Sequence, residues 1–92
     1  MAGAVLESVE ETLKKAVAAQ RKGDFKAAEP LFHSVLKKKP QQPEALHGLG
    51  LIAFKAGQGE EALSYLEKAM NEQPNAADIV NNLGTVYLNQ KR

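Results

Sequence analysis

The sequence predicts an all-α chain of antiparallel helix–turn–helix repeats, five helices in all. Three observations predict it. Through most of the chain apolar residues recur at steps of three and four, the spacing of one helix face. Glycine and proline interrupt that pattern at Gly23, Pro40, Gly57 and Pro74, cutting it into helix-length segments. The landmarks also repeat at one interval: Gly50 returns as Gly84 and stands as a small residue at Ala16, Gly57 matches Gly23, Ala62 matches Ala28, and Pro74 matches Pro40. That interval is 34 residues, the period of a helix–turn–helix unit that buries its faces by stacking. The stretch from Pro43 to Pro74, PEALHGLGLIAFKAGQGEEALSYLEKAMNEQP, is the one complete copy.

The first helix is expected from about Ala4 to Arg21, on the spacing of Val5, Leu6, Val9, Leu13, Ala16 and Val17. Glu10 and Glu11 precede Lys14 and Lys15 by four, the favourable order for exposed pairs, and Gly23 is the natural stop. Thr12 and Lys15 stand where later copies carry leucine or valine. A terminal unit needs such a polar outer face, so this end reads as an N-terminal cap. Asp24 is placed to cap a second helix reaching about Lys38. Pro30 falls inside it and removes the hydrogen bond to the Lys26 carbonyl, so the helix either begins late, near Glu29, or bends. Lys37, Lys38 and Lys39 meet the negative pole of the helix dipole, and Pro40 forbids continuation.

Pro43 suits the first turn of a third helix ending near Ala56, apolar on more than one side through Leu46, Leu49, Leu51, Ile52 and Phe54. Gly48 and Gly50 weaken it. At Gly50 the expected offset is close approach of the second helix of the pair. Glu60 and Glu61 open the fourth helix, whose buried side uses Ala62, Leu63, Tyr65, Leu66, Ala69 and Met70. Asn75 is the expected cap of the fifth, from about Ala77 to Asn89. Val80, Leu83, Val86, Tyr87 and Leu88 cannot all be covered by one neighbouring pair. The chain is therefore expected to be the N-terminal part of a longer array; a final capping helix, or self-association through Val80, Leu83, Val86 and Tyr87, are the alternatives.

Composition narrows function. Ninety-two residues make one small domain or part of a larger one, and a net charge of +1 gives no field for nucleic acid or an anionic membrane. There is no cysteine, hence no disulfide or thiolate site. The opening MAGAVLESVEE lacks the basic start and apolar centre of a signal peptide, and no apolar run approaches the roughly 20 residues that span a bilayer. Cytoplasmic location without membrane insertion is the default expectation. Gly48-Leu49-Gly50-x-x-Ala53 and Gly57-x-Gly59-x-x-Ala62 fit a relaxed dinucleotide fingerprint, but no strand precedes either. His33 and His47 lack a second histidine at ligand spacing, and Ser34 beside His33 points away from it. No catalytic residue, metal or cofactor is expected.

The repeat residues carry a resemblance. The central copy shows Leu46, Leu49-Gly50, Ala62, Leu66 and Pro74, with Ala53 small where a tyrosine is usual. The third shows Val80, Leu83-Gly84 and Tyr87; the first shows Ala28, Phe32 and Pro40 after a degenerate Thr12, Lys15-Ala16 and Ala19. From about residue 9 to 92 the chain resembles the tetratricopeptide repeat (TPR) family, as a bacterial-type array. The resemblance implies a right-handed superhelix of about two and a half repeats, at roughly 9–42, 43–76 and 77–92. It implies a concave groove, lined by the first helix of each pair, that takes a peptide or partner helix. Matched to the family's groove positions, one row is Glu10, Leu13, Lys14, Val17 and Arg21, and the next Glu44, His47, Leu51, Phe54 and Lys55. The third row is Asp78, Asn81, Asn82, Thr85 and Asn89. Leu51 and Phe54 would be apolar anchors, and Asn82 would clasp a peptide amide. Lys14 and Gly48 break any asparagine ladder, and Asp78 and Leu13 argue against a carboxylate clamp. The implied function is non-catalytic protein binding or scaffolding. The alternatives are a substrate-presenting N-terminal segment of a bacterial transferase, and a scaffold that self-assembles through its last helix.

Overall fold

A computed structural model describes residues 8–90. Five helices follow one another: α1 (Val9–Arg21), α2 (Phe25–Lys38), α3 (Pro43–Lys55), α4 (Gly59–Glu72) and α5 (Ala77–Gln90). They form antiparallel helix–turn–helix repeats in a right-handed superhelix, 55 × 25 × 18 Å along its principal axes.

Capping sets the helix starts. Ser8 is extended and closes a capping box: the Glu11 N–H donates to Ser8 Oγ at 3.1 Å, and the Ser8 N–H to Glu11 Oε1 at 3.2 Å. The helix therefore begins at Val9 rather than Ala4; Val5 and Leu6, which periodicity assigns to it, lie outside the described residues. Asp24 caps α2 as expected, accepting from the Ala27 N–H at 3.2 Å. The late start near Glu29 is overturned, because α2 begins at Phe25 and runs through Pro30 without a break. Pro30 and Lys26 both lie on the exposed side, where water can meet the carbonyl that lost its donor. Asn75 is not the cap of α5. The Ala76 carbonyl accepts from Val80 N–H at 3.1 Å, so Asn75 stands one residue outside the capping position.

The two intra-pair turns are built alike. Gly23 and Gly57 have φ of 82° and 79°, a left-handed region that side chains resist. After the first, the Asp24 N–H reaches back to the Ala19 carbonyl at 2.9 Å; after the second, Gln58 N–H reaches Ala53 at 2.9 Å.

The core is divided along the array. One cluster joins Leu13 and Ala16 of α1 to Ala28, Phe32 and Val35 of α2 and Ala45, Leu49 and Ile52 of α3. A second joins Ala53, Ala62 and Leu66 to Leu83 and Val86, and a third joins Leu46, Ala69 and Ile79. The expected close approach at Gly50 is present: a Cβ there would stand 2.8 Å from Leu66 Cγ. Gly48 lies closer still to its neighbour, beneath the Phe32 ring.

The fifth helix divides its apolar residues. Leu83 and Val86 are 5% and 1% exposed, so they are core and form no part of an outward self-association face. They point back onto α4, which helical spacing alone does not reveal. Val80, Tyr87 and Leu88 remain 45%, 48% and 76% exposed.

Candidate peptide-binding groove

The first helices of the pairs, α1, α3 and α5, carry the residues assigned to the groove. An open concavity of about 620 Å³ runs along α1. Glu10, Leu13, Lys14, Val17 and Arg21 all line it, with Glu44 of α3. Its floor is apolar: Leu13 is nearly buried and Val17 half-buried. Ala18 and Lys22 complete it, and sequence reasoning missed both. They sit four and eight residues after Lys14, a signal the spacing held. Three cations, Lys14, Arg21 and Lys22, thus edge an apolar floor against two carboxylates, Glu10 and Glu44.

The other two rows are partly engaged inside the molecule. Asn82 Nδ2 lies 2.7 Å from His47 Nε2, joining α5 to α3. With the amide nitrogen donating, the ring nitrogen must accept, so His47 is neutral and carries its proton on Nδ1. One N–H of Asn82 is therefore engaged by His47. Phe54 is half-buried against the cluster of Ala53, Leu66 and Val86, and Leu51 is half-buried too. Lys55, Asn81, Thr85 and Asn89 are exposed, with the Thr85 hydroxyl donating to the Asn81 carbonyl at 3.1 Å. A second tie, unanticipated from sequence, runs from Gln20 Nε2 to the Gly48 carbonyl at 3.3 Å. It links α1 to α3 at a residue with no side chain to shield its carbonyl.

Burial lowers the pKa of His47 below the usual 6.5, against an opposing pull from Asp78. The unfolded chain then takes up a proton more readily than the folded one. The stability His47 contributes is complete above about pH 6.5 and is lost as pH falls below it towards the lower folded value. Urea midpoints at pH 7.5 and 5 should fall further in the wild type than in His47→Gln; equal falls would show that this ring is not the sensor.

On the opposite side a cavity of about 610 Å³ lies between α2 and α4, floored by Leu49 and Ile52 and edged by Glu29, His33, Glu61 and Lys68. Among the described residues no group of three or more His, Cys, Asp or Glu side chains is arranged to hold a metal ion. No described helix is long and apolar enough to cross a membrane.

Comparison with known proteins gives a consistent result. A family model described as tetratricopeptide repeat matches residues 13–77 and again 53–92. Cellulose synthase operon protein C of Komagataeibacter xylinus is 44% identical over 55 residues, covering 60% of this chain and 4% of that protein. Photosystem I assembly protein Ycf3 of Prochlorococcus marinus (strain NATL1A) is 30% identical over 77 residues, covering 80% of this chain and 44% of that protein. Among solved structures, a mutant O-GlcNAc transferase of Thermobaculum terrenum superposes with a TM-score of 0.82 at 37% identity, over 85% of this chain and 15% of that one. The chain thus spans less than half the length of each of these relatives.

Proposed function

Because the chain belongs to the tetratricopeptide repeat family, we propose that it works as a non-catalytic binding module whose contact surface is the groove along α1. Repeats of this family mediate protein–protein interaction and are not catalytic. One observation carries the choice of surface: an apolar floor of Leu13, Val17 and Ala18 edged by Lys14, Arg21 and Lys22. The partner is a protein segment with an apolar anchor and carboxylates beside it, lying along α1 and reaching Leu51, Phe54 and Lys55. Asn81, Thr85 and Asn89 offer further polar contacts where the groove continues onto α5. The chain divides into repeats at 9–42 and 43–76 and a half repeat at 77–92.

The test uses two labelled helical peptides of alanine and leucine, one flanked by glutamate and one by lysine. The glutamate peptide should bind and the lysine peptide should not. Arg21→Glu with Lys14→Glu should weaken binding about tenfold, since each exposed pair is worth up to ~1 kcal/mol. Amide NMR shifts should fall on Leu13 and Val17; shifts confined to α2 and α4 would place the contact elsewhere and end this reading.

A second reading rests on the likeness to the transferase structure, of which this chain covers 15%. In it the chain is the N-terminal, substrate-presenting segment of a longer bacterial transferase. The mass of the native polypeptide decides: about 10 kDa would exclude it.

A further inference from the structure

The cavity on the far side from the groove has a chemistry of its own. α2 and α4 are the second helices of successive pairs and run the same way. They stand apart on either side of α3, whose Leu49, Ile52 and Ala53 make an apolar floor. Glu29 and His33 line the cleft from α2, and Glu61, Tyr65 and Lys68 line it from α4.

The two walls sort their charges. The 34-residue offset puts Glu61 level with Ala27 and Lys68 level with Ser34. At about 1.5 Å per residue, Glu29 and Glu61 then mark one end of the cleft and His33 and Lys68 the other, about 8 Å away. Little of this charge is neutralised within the molecule. Among the described residues Glu61 and Lys68 have no ion-pair partner, and Glu29 has only His33, at 3.9 Å. Glu29 also stands beyond the first turn of α2, where a carboxylate would meet the positive pole of the helix dipole.

Tyr65 lies between the carboxylates. Burial raises its pKa above the usual 10.0, and the charges of Glu61 and then Glu29 raise it further. Both walls therefore bear on one phenol. Its ring packs against the core, but packing does not call for a hydroxyl: the matching place one repeat earlier holds Leu31.

A guanidinium suits the acidic end. It is planar, stacks beside an aromatic ring, and its fork of donors can serve two carboxylates at once, which a compact ammonium does poorly. Its methylene stem can lie on the apolar floor. In an extended strand, side chains two residues apart share a face at about 7 Å, close to the separation of the two ends.

We propose that the cleft between α2 and α4 takes an extended segment of a partner protein, its arginine side chain between Glu29 and Glu61 beside Tyr65, and an acidic side chain two residues away beside His33 and Lys68. The site is separate from the groove along α1 and prefers the opposite charge.

The probe is a labelled, end-blocked peptide of glycine and serine with arginine third and glutamate fifth. It should bind the 92-residue chain saturably below about 1 mM, the weak end of specific recognition. Citrulline, which keeps the shape of arginine without its charge, should abolish binding, and lysine should weaken it. Glu29→Gln with Glu61→Gln should weaken binding about tenfold, the loss of two exposed pairs, with helicity unchanged. Glu60→Gln with Glu72→Gln removes the same charge from exposed places on α4 outside the cleft, and should leave binding unchanged. Amide shifts should fall on Glu29, His33 and Tyr65. No saturation, equal binding of the citrulline or lysine peptide, equal weakening by the two double variants, or shifts confined to α1 would each overturn the proposal.

Discussion

Phe32→Ala is expected to lower the stability of the chain by about 3–5 kcal/mol, the usual result of emptying a fully buried aromatic site. Phe32 is the largest fully buried side chain of the molecule and lies in the cluster that joins α1, α2 and α3. The residues around it are poorly placed to fill the void. Gly48, directly beneath the ring, has no side chain, and Ala16, Ala28 and Ala45 have one carbon each. A domain of this size has on the order of 5–15 kcal/mol in total, and this one builds its core with few aromatics. Urea unfolding followed by far-ultraviolet circular dichroism reads the effect. A loss below about 1 kcal/mol would mean that the three helices close up around the gap and that Phe32 is not their common anchor.

The second large effect is a pair of substitutions with opposite signs. Gly50→Val should cost about 1–3 kcal/mol, because its Cβ would press on Leu66, which is fully buried and has no room to retreat. Gly84→Ala, at the matching place one repeat later, should add about 0.5–1 kcal/mol, the ordinary gain of replacing an unconstrained helical glycine. The sequence makes the two glycines equivalent; their neighbours do not. Thermal unfolding of both variants under one condition decides: a Gly50→Val chain as stable as the wild type would show that α4 does not press on Gly50, and a destabilised Gly84→Ala chain that the space at Gly84 is not open.

Much of this architecture was legible because repetition supplies internal controls. The turn at Gly57 could be checked against Gly23, and both adopt the left-handed backbone that glycine favours. The crossing at Gly50 followed from finding glycine in a helix interior, where only close approach offsets its cost. The Ser8-x-x-Glu11 box was present in the letters, but the apolar spacing of Val5 and Leu6 pulled the expected start upstream of it. The fifth helix was misread for a different reason. A helical wheel shows which residues are apolar, not which side a neighbour covers, so Leu83 and Val86 were grouped with Val80 and Tyr87. The five residues that the resemblance puts in the first groove row, Glu10, Leu13, Lys14, Val17 and Arg21, line one concavity because they stand on one side of a single helix. The tie between Asn82 and His47 was not legible, because the two stand 35 residues apart on different helices. Pairings across helices depend on stacking geometry that spacing does not encode.

The divided core has a consequence for how the molecule can change length. Among the described residues α1 packs only against α2 and α3, and α5 only against α3 and α4, so no helix depends on a distant part of the chain. Stability then accumulates interface by interface. Duplicating a 34-residue unit would add one more interface of the kind that joins Leu46, Ala69 and Ile79 and leave the earlier ones as they are. Gene duplication can therefore lengthen such a chain without re-solving its packing, and folding can start at any pair and spread to its neighbours.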